Sequence, residues 1–211
     1  MKLKDPVSGL THLAGALLAV AGLVALIHVA ADRGSAVRMV AFVIFGAALI
    51  LLYTASAVYH LVSASGRGGR MLRRLDHMMI FILIAGSYTP FCLVSLRGAW
   101  GWALLGSIWG LAVAGVFMKI FWLEAPRWLS TGIYVAMGWA IVAASYPLVH
   151  AVSLDGLAWL FIGGLFYSVG AALYATKWPN PLPNIFGFHE IWHIFVMAGS
   201  LSHFFAVLHY V

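Results

Sequence analysis

The chain has 211 residues, of which 64% are hydrophobic and 9% charged, whereas a soluble domain carries about a quarter charged residues. This composition excludes a water-soluble domain, and seven membrane crossings at about 20 residues each leave only short connections, with no room for a separate soluble catalytic domain. The net charge of +6 comes from only twelve Lys and Arg, which points to membrane orientation rather than nucleic-acid binding, and the single thiol, Cys92, excludes an internal disulfide.

Seven apolar runs are bounded by charge, proline or glycine clusters. The first predicted helix covers 9–31 and stops at Asp32-Arg33-Gly34; the second covers 37–62 and is followed by the Gly/Arg-rich stretch Ser65 to Arg70, read as a loop. The third, 74–96, ends at Arg97-Gly98. The fourth, 100–122, is separated by Glu124-Ala125-Pro126-Arg127 from the fifth, 127–150. Asp155-Gly156 opens the sixth, 156–176, and a proline-rich loop from Lys177 to Asn184 precedes the seventh, 187–210. The predicted fold is therefore an all-α integral membrane protein, a single seven-transmembrane-helix bundle. The first run follows Lys2 and Lys4 like a signal peptide but lacks a small-x-small cleavage site, so it is read as retained.

Cytoplasmic loops are enriched in Lys and Arg. A cytoplasmic N-terminus puts Lys2, Lys4, Arg67, Arg70, Arg73, Arg74, Lys119, Arg127 and Lys177 inside, against Arg33, Arg38 and Arg97 outside. Trp100, Trp102 and Trp159 then fall near the outer interface and Trp122, Trp128 and Trp178 near the inner one. The C-terminus is expected outside. This is opposite to the receptors that couple to G proteins, and the seventh helix has no Lys for a retinal Schiff base.

Polar groups inside apolar runs are costly in a bilayer and are functional candidates. His60 closes the second helix with Ser56 one turn deeper, Asp76 starts the third, and His189 and His193 start the seventh on one face. All are expected at one membrane depth. Three histidines from two helices have the ligand count of a catalytic zinc site, which leaves the fourth tetrahedral position open. Each residue also has a plainer reading: an interfacial histidine, a small residue at a helix contact for Ser56, or a helix cap for Asp76. His12, His28, His150 and His209 are read as interfacial. The aromatics and methionines are read as packing, and Gly163, Gly164 and Gly170 as close helix contacts.

Ser56-Ala57-Val58-Tyr59-His60, Leu75-Asp76-His77 leading into Ile84-Ala85-Gly86-Ser87-Tyr88-Thr89-Pro90-Phe91, and His189-Glu190-Ile191-Trp192-His193 with His203-Phe204 beyond it resemble the hemolysin III branch of the progestin and adipoQ receptor family. Pro6-Val7-Ser8-Gly9-Leu10-Thr11-His12 is similar to the start of that branch. The resemblance implies a zinc ion on His60, His189 and His193 near the cytoplasmic leaflet, with Ser56 and Asp76 beside it, in a bacterial inner membrane. It also implies a membrane lipid or fatty-acyl ligand, without an obligate protein partner. Glu190 stands where the animal receptors carry Gln.

His-Glu-Ile-Trp-His also satisfies H-E-x-x-H, in which the glutamate is a protease base. Leu154-Asp155-Gly156 resembles the second ligand motif of intramembrane metalloproteases, but the predicted topology puts Asp155 a membrane thickness away. Asp76 is therefore the expected base. The expected chemistry is zinc-dependent hydrolysis of a lipid amide or ester, ceramidase-like in the family's terms, with Asp76 accepting a proton and Ser56 donating a hydrogen bond to the attacking water or the developing oxyanion. The alternatives are a non-enzymatic sensor or regulator of membrane lipid and, less favoured because the helices offer little polar lining, a pore-forming cytolysin. His203, ten residues past His193, lies about 15 Å further along the helix and is expected outside the metal shell, facing the bundle interior.

Overall fold

The structure, a computed structural model, describes residues 4–183 and 185–211, so Lys2 of the basic count lies outside the described residues. Seven helices are long and apolar enough to span a membrane: α1 Pro6–Asp32, α2 Ala36–Leu61, α3 Gly66–Leu96, α4 Gly98–Phe121, α5 Arg127–Ala151, α6 Leu154–Thr176 and α7 Phe188–Tyr210. Ser35 and Ser153 cap α2 and α6 by accepting hydrogen bonds from the N–H groups of Arg38 and Gly156. The turns into α2 and α4 place Gly34 and Gly98 at φ +60° and +56°, where a Cβ would be strained.

Phe42 and Phe45 of α2 pack with Leu26 of α1 and Val207 of α7, while Phe81 of α3 packs with Ile108 of α4 and Met137 of α5; all seven side chains are fully buried. Leu17, Leu18 and Phe121 point outward, as lipid-facing residues do. Because lipid is as apolar as leucine, close approach of small residues holds such helices together more than apolar burial does. A Cβ on Gly86 of α3 would lie 2.5 Å from that of Ala48 on α2, and one on Gly163 of α6 would lie 2.6 Å from His203 Nε2 on α7.

Three local features depart from the expected segments. α3 begins at Gly66, eight residues before the expected start at 74, because the glycines serve the helix entry: Gly66 takes φ +58°, and a Cβ on Gly69 would sit 2.5 Å from the Ala64 carbonyl oxygen. Pro90 lacks an N–H and crowds the preceding turn, and the helix continues as a π turn over Phe91–Leu96. α5 is broken by a 3-10 segment, Ala140–Ala144, that ends three residues before Pro147. The Tyr88 hydroxyl repairs the break by accepting from the Ile141 N–H at 2.9 Å and facing the Met137 and Gly138 carbonyls at 2.7 Å. Irregular backbone at membrane depth needs such a partner.

At one end of the bundle Arg38 donates twice to the Val211 backbone oxygen, at 2.8 and 3.1 Å, which ties the start of α2 to the end of α7. The other end collects eight of the described basic residues and the candidate site.

Candidate metal centre

His60 lies in the last turn of α2, and His189 and His193 lie in the first two turns of α7. His60 Nε2 stands 3.3 Å from His189 Nε2, which stands 3.2 Å from His193 Nε2. Nitrogens bound tetrahedrally to zinc at about 2.0–2.1 Å are about 3.3 Å apart, so this spacing fits one shared ion. One ligand atom from each of the three residues lies within 4.8 Å of the others.

The far side of two rings fixes where their protons sit. His60 Nδ1 faces Asp5 Oδ2 at 3.1 Å and His193 Nδ1 faces the Ser8 carbonyl oxygen at 3.2 Å. Both partners are acceptors, so each Nδ1 carries its proton and each Nε2 turns a lone pair inward. His189 Nε2 has at most one proton to offer two such lone pairs. A cation would satisfy all three, and acceptors such as those behind the His60 and His193 rings are how metal-binding histidines are held.

The outer shell comes from the start of α1, which the sequence reading did not connect to the site. Asp5, Ser8 and His12 recur at three and four residues and so share a helical face. Asp5 holds His60, and its own N–H donates to the His60 carbonyl at 2.9 Å. Ser8 Oγ donates to Glu190 Oε1 at 2.8 Å. His12 was expected at the interface; instead it is 3% exposed and stacks on His193 with ring centroids 3.7 Å apart. The sequence signal was this polar stripe in an otherwise apolar run.

Glu190 fills a structural role. Its Oε2 accepts from the Gly187 N–H at 2.8 Å and its Oε1 accepts from Ser8, so the carboxylate caps α7 and fastens it to α1. Asp155 opens α6 at the opposite end of the bundle.

Asp76 and Ser56 face each other across the α2–α3 contact, with the Ser56 hydroxyl hydrogen-bonded to the carboxylate. The hydroxyl expected from the sequence to donate to the attacking water or the developing oxyanion thus stands beside the Asp76 carboxylate. Both residues line, with His189 and His193, a cavity of about 650 Å³ that continues past Leu160 to His203. His203 stands apart from the metal trio and faces the Leu160 carbonyl through Nε2 at 3.2 Å.

The chain matches the family described as haemolysin-III related over residues 1–204. It is 42% identical over 203 residues to the hemolysin-3 homolog of Bacillus subtilis (strain 168), covering 96% of this chain and 92% of that protein. It is 41% identical over 204 residues to hemolysin-3 of Bacillus cereus, covering 97% and 90%. The human monocyte to macrophage differentiation factor is 28% identical over 174 residues, covering 80% and 69%. Seven apolar spans and these bacterial relatives support a place in the bacterial plasma membrane. The chain is an integral membrane protein that belongs to the haemolysin-III-related family.

Proposed function

We propose that the chain is a zinc-dependent hydrolase acting on an acyl amide or ester of a membrane lipid at the cytoplasmic leaflet. The reading is carried by three inward-turned Nε2 atoms beside an apolar cavity whose wall also holds a carboxylate. Zinc, when bound, supplies Lewis acidity toward a carbonyl and lowers the pKa of water. Asp76 takes the proton of the attacking water and returns it to the leaving amine or alcohol. Ser56 holds the Asp76 carboxylate toward the cavity. Asp5 and the Ser8 carbonyl keep the His60 and His193 rings in one tautomer and one orientation. The apolar walls take the acyl chain and keep bulk water from it.

The purified protein is expected to hold one zinc per chain and to lose it in the double variant His189→Ala/His193→Ala. Asp76→Asn is expected to keep zinc and to abolish release of fatty acid from N-acyl or ester lipids. Zinc retention with identical lipid profiles in wild type and Asp76→Asn would sink the hydrolase reading. That result would favour a non-enzymatic lipid sensor, a reading supported by the joining of α2 to α7 through the same three histidines. The count of described basic residues, eight at the site's end against three at the other, supports a cytoplasmic site and an outside C-terminus. A C-terminal reporter active only in the cytoplasm would overturn that orientation.

A further inference from the structure

Among the described residues, Lys119 is the one Lys, Arg, Asp or Glu that is buried, at 2% exposure. It lies in the last turn of α4, and its ammonium donates to Ser130 Oγ of α5 at 2.6 Å. A neutral hydroxyl satisfies one of three N–H groups and none of the charge. Of the two carboxylates on the same wall, Glu124 pairs directly with Arg73 at 2.9 Å and acts on Lys119 only through space, and Asp76 is hydrogen-bonded to Ser56. Among the described residues no carboxylate lies within ion-pair distance of Lys119.

Lys119 opens onto the acyl cavity, where positive groups outnumber negative ones. His77 turns a buried Nδ1 without a hydrogen-bond partner, and Arg127 lies 4.6 Å over the Tyr174 ring. The cavity wall holds Arg73, Lys119, Arg127 and Lys177 against Asp76 and Glu124, four positive charges to two negative. An ammonium with no carboxylate in direct contact is costly in a membrane bundle and normally marks a ligand path or a counter-ion site. Beyond this charged end the cavity is lined by Leu83, Leu157, Leu160 and Val196, among others, and its 650 Å³ is within the range of ligand pockets.

We infer that Lys119, with His77 and Ser130 beside it, is an anion subsite at the head of the cavity. The molecules the cavity takes are then single-chain amphiphiles with an anionic head, a carboxylate or a phosphate monoester, with the chain running along the apolar interior toward His203. The fatty acid released by hydrolysis of an acyl amide or ester, in which water adds its OH to the acyl carbon and its H to the leaving group, is one such amphiphile. The inference rests on the acyl-cavity part of the proposed function and not on the metal.

The test is binding to the full chain in phosphatidylcholine nanodiscs, with three ligands of equal chain length: palmitate, palmitoyl lysophosphatidic acid and neutral monopalmitoylglycerol. Loss of a charge-assisted hydrogen bond corresponds to about tenfold or more in affinity. Wild type is expected to prefer at least one anionic ligand over the neutral one by about that factor; whichever anion wins names the head group. Lys119→Met should erase the preference while leaving the neutral ligand unchanged, and Lys119→Arg should restore it. Equal affinity of wild type for all three ligands, or equal weakening of all three in Lys119→Met, would overturn the subsite. Anion preference that persists in zinc-free His189→Ala/His193→Ala protein keeps the subsite, whatever happens to the hydrolase reading.

Discussion

Asp5→Ala separates an outer-shell role from a merely surface one. The Asp5 carboxylate accepts from His60 Nδ1 at 3.1 Å, with 43% of its side chain exposed, while the imidazole is 4% exposed. Loss of an outer-shell partner weakens metal affinity by about 10–100-fold. Solvent at the carboxylate screens the contact and puts the expected effect at the low end, about tenfold or about 1.4 kcal/mol. Asp5→Asn keeps an acceptor oxygen but not the charge, so its effect should fall between wild type and Asp5→Ala. Ser8→Ala is the internal control: the group that orients His193 is the Ser8 carbonyl, which survives the substitution, so zinc affinity should hold. Chelator competition on purified full-length protein reads the affinity, and the melting temperature reports folding. Wild-type zinc affinity in folded Asp5→Ala protein would refute the tautomer argument, and equal losses in Asp5→Ala and Ser8→Ala would show that the start of α1 acts only as packing.

Glu190→Gln is expected to retain zinc and most activity, since Gln keeps an acceptor for the Gly187 N–H, and to lower stability by about 0.5–2 kcal/mol; a loss of turnover by orders of magnitude with zinc intact would make Glu190 the base. Tyr88→Phe leaves the Ile141 N–H without its partner inside the bundle, while the Met137 carbonyl keeps the Ala140 N–H, at a cost of about 1–3 kcal/mol by reversible unfolding; wild-type stability would show that the α5 break needs no support from α3. Gly163→Ala puts a methyl group against the His203 ring and 3.1 Å from the Gly199 carbonyl, with an expected loss of about 1–3 kcal/mol and unchanged zinc content; a stable variant would mean that α6 and α7 separate easily.

The sequence by itself determined the class of fold and pointed to the three histidines that the structure brings together. A run of about 20 apolar residues has few ways to satisfy its backbone in lipid other than as a helix, so seven runs specify seven helices. His189 and His193 four residues apart needed only helical periodicity to share a face, and membrane depth then brought His60 of α2 to the same level.

Tertiary structure decided what depends on contacts between distant segments. Local pattern read the Gly/Arg stretch before α3 as a loop, because the reason for Gly69 is the carbonyl of Ala64 pressed against it. It read α5 as continuous, because the 3-10 break is stabilised by Tyr88 of another helix. His12 looked interfacial until α1 was packed against α7, where it stacks on His193. Glu190 matched a catalytic pattern on its own helix, but both of its oxygens are taken, one by its own helix start and one by Ser8 across the bundle. Periodicity fixes which face of a helix a residue occupies; which partner meets that face is set by how the helices pack, and the roles of Asp5, Ser8, His12 and Lys119 lie entirely in those partners.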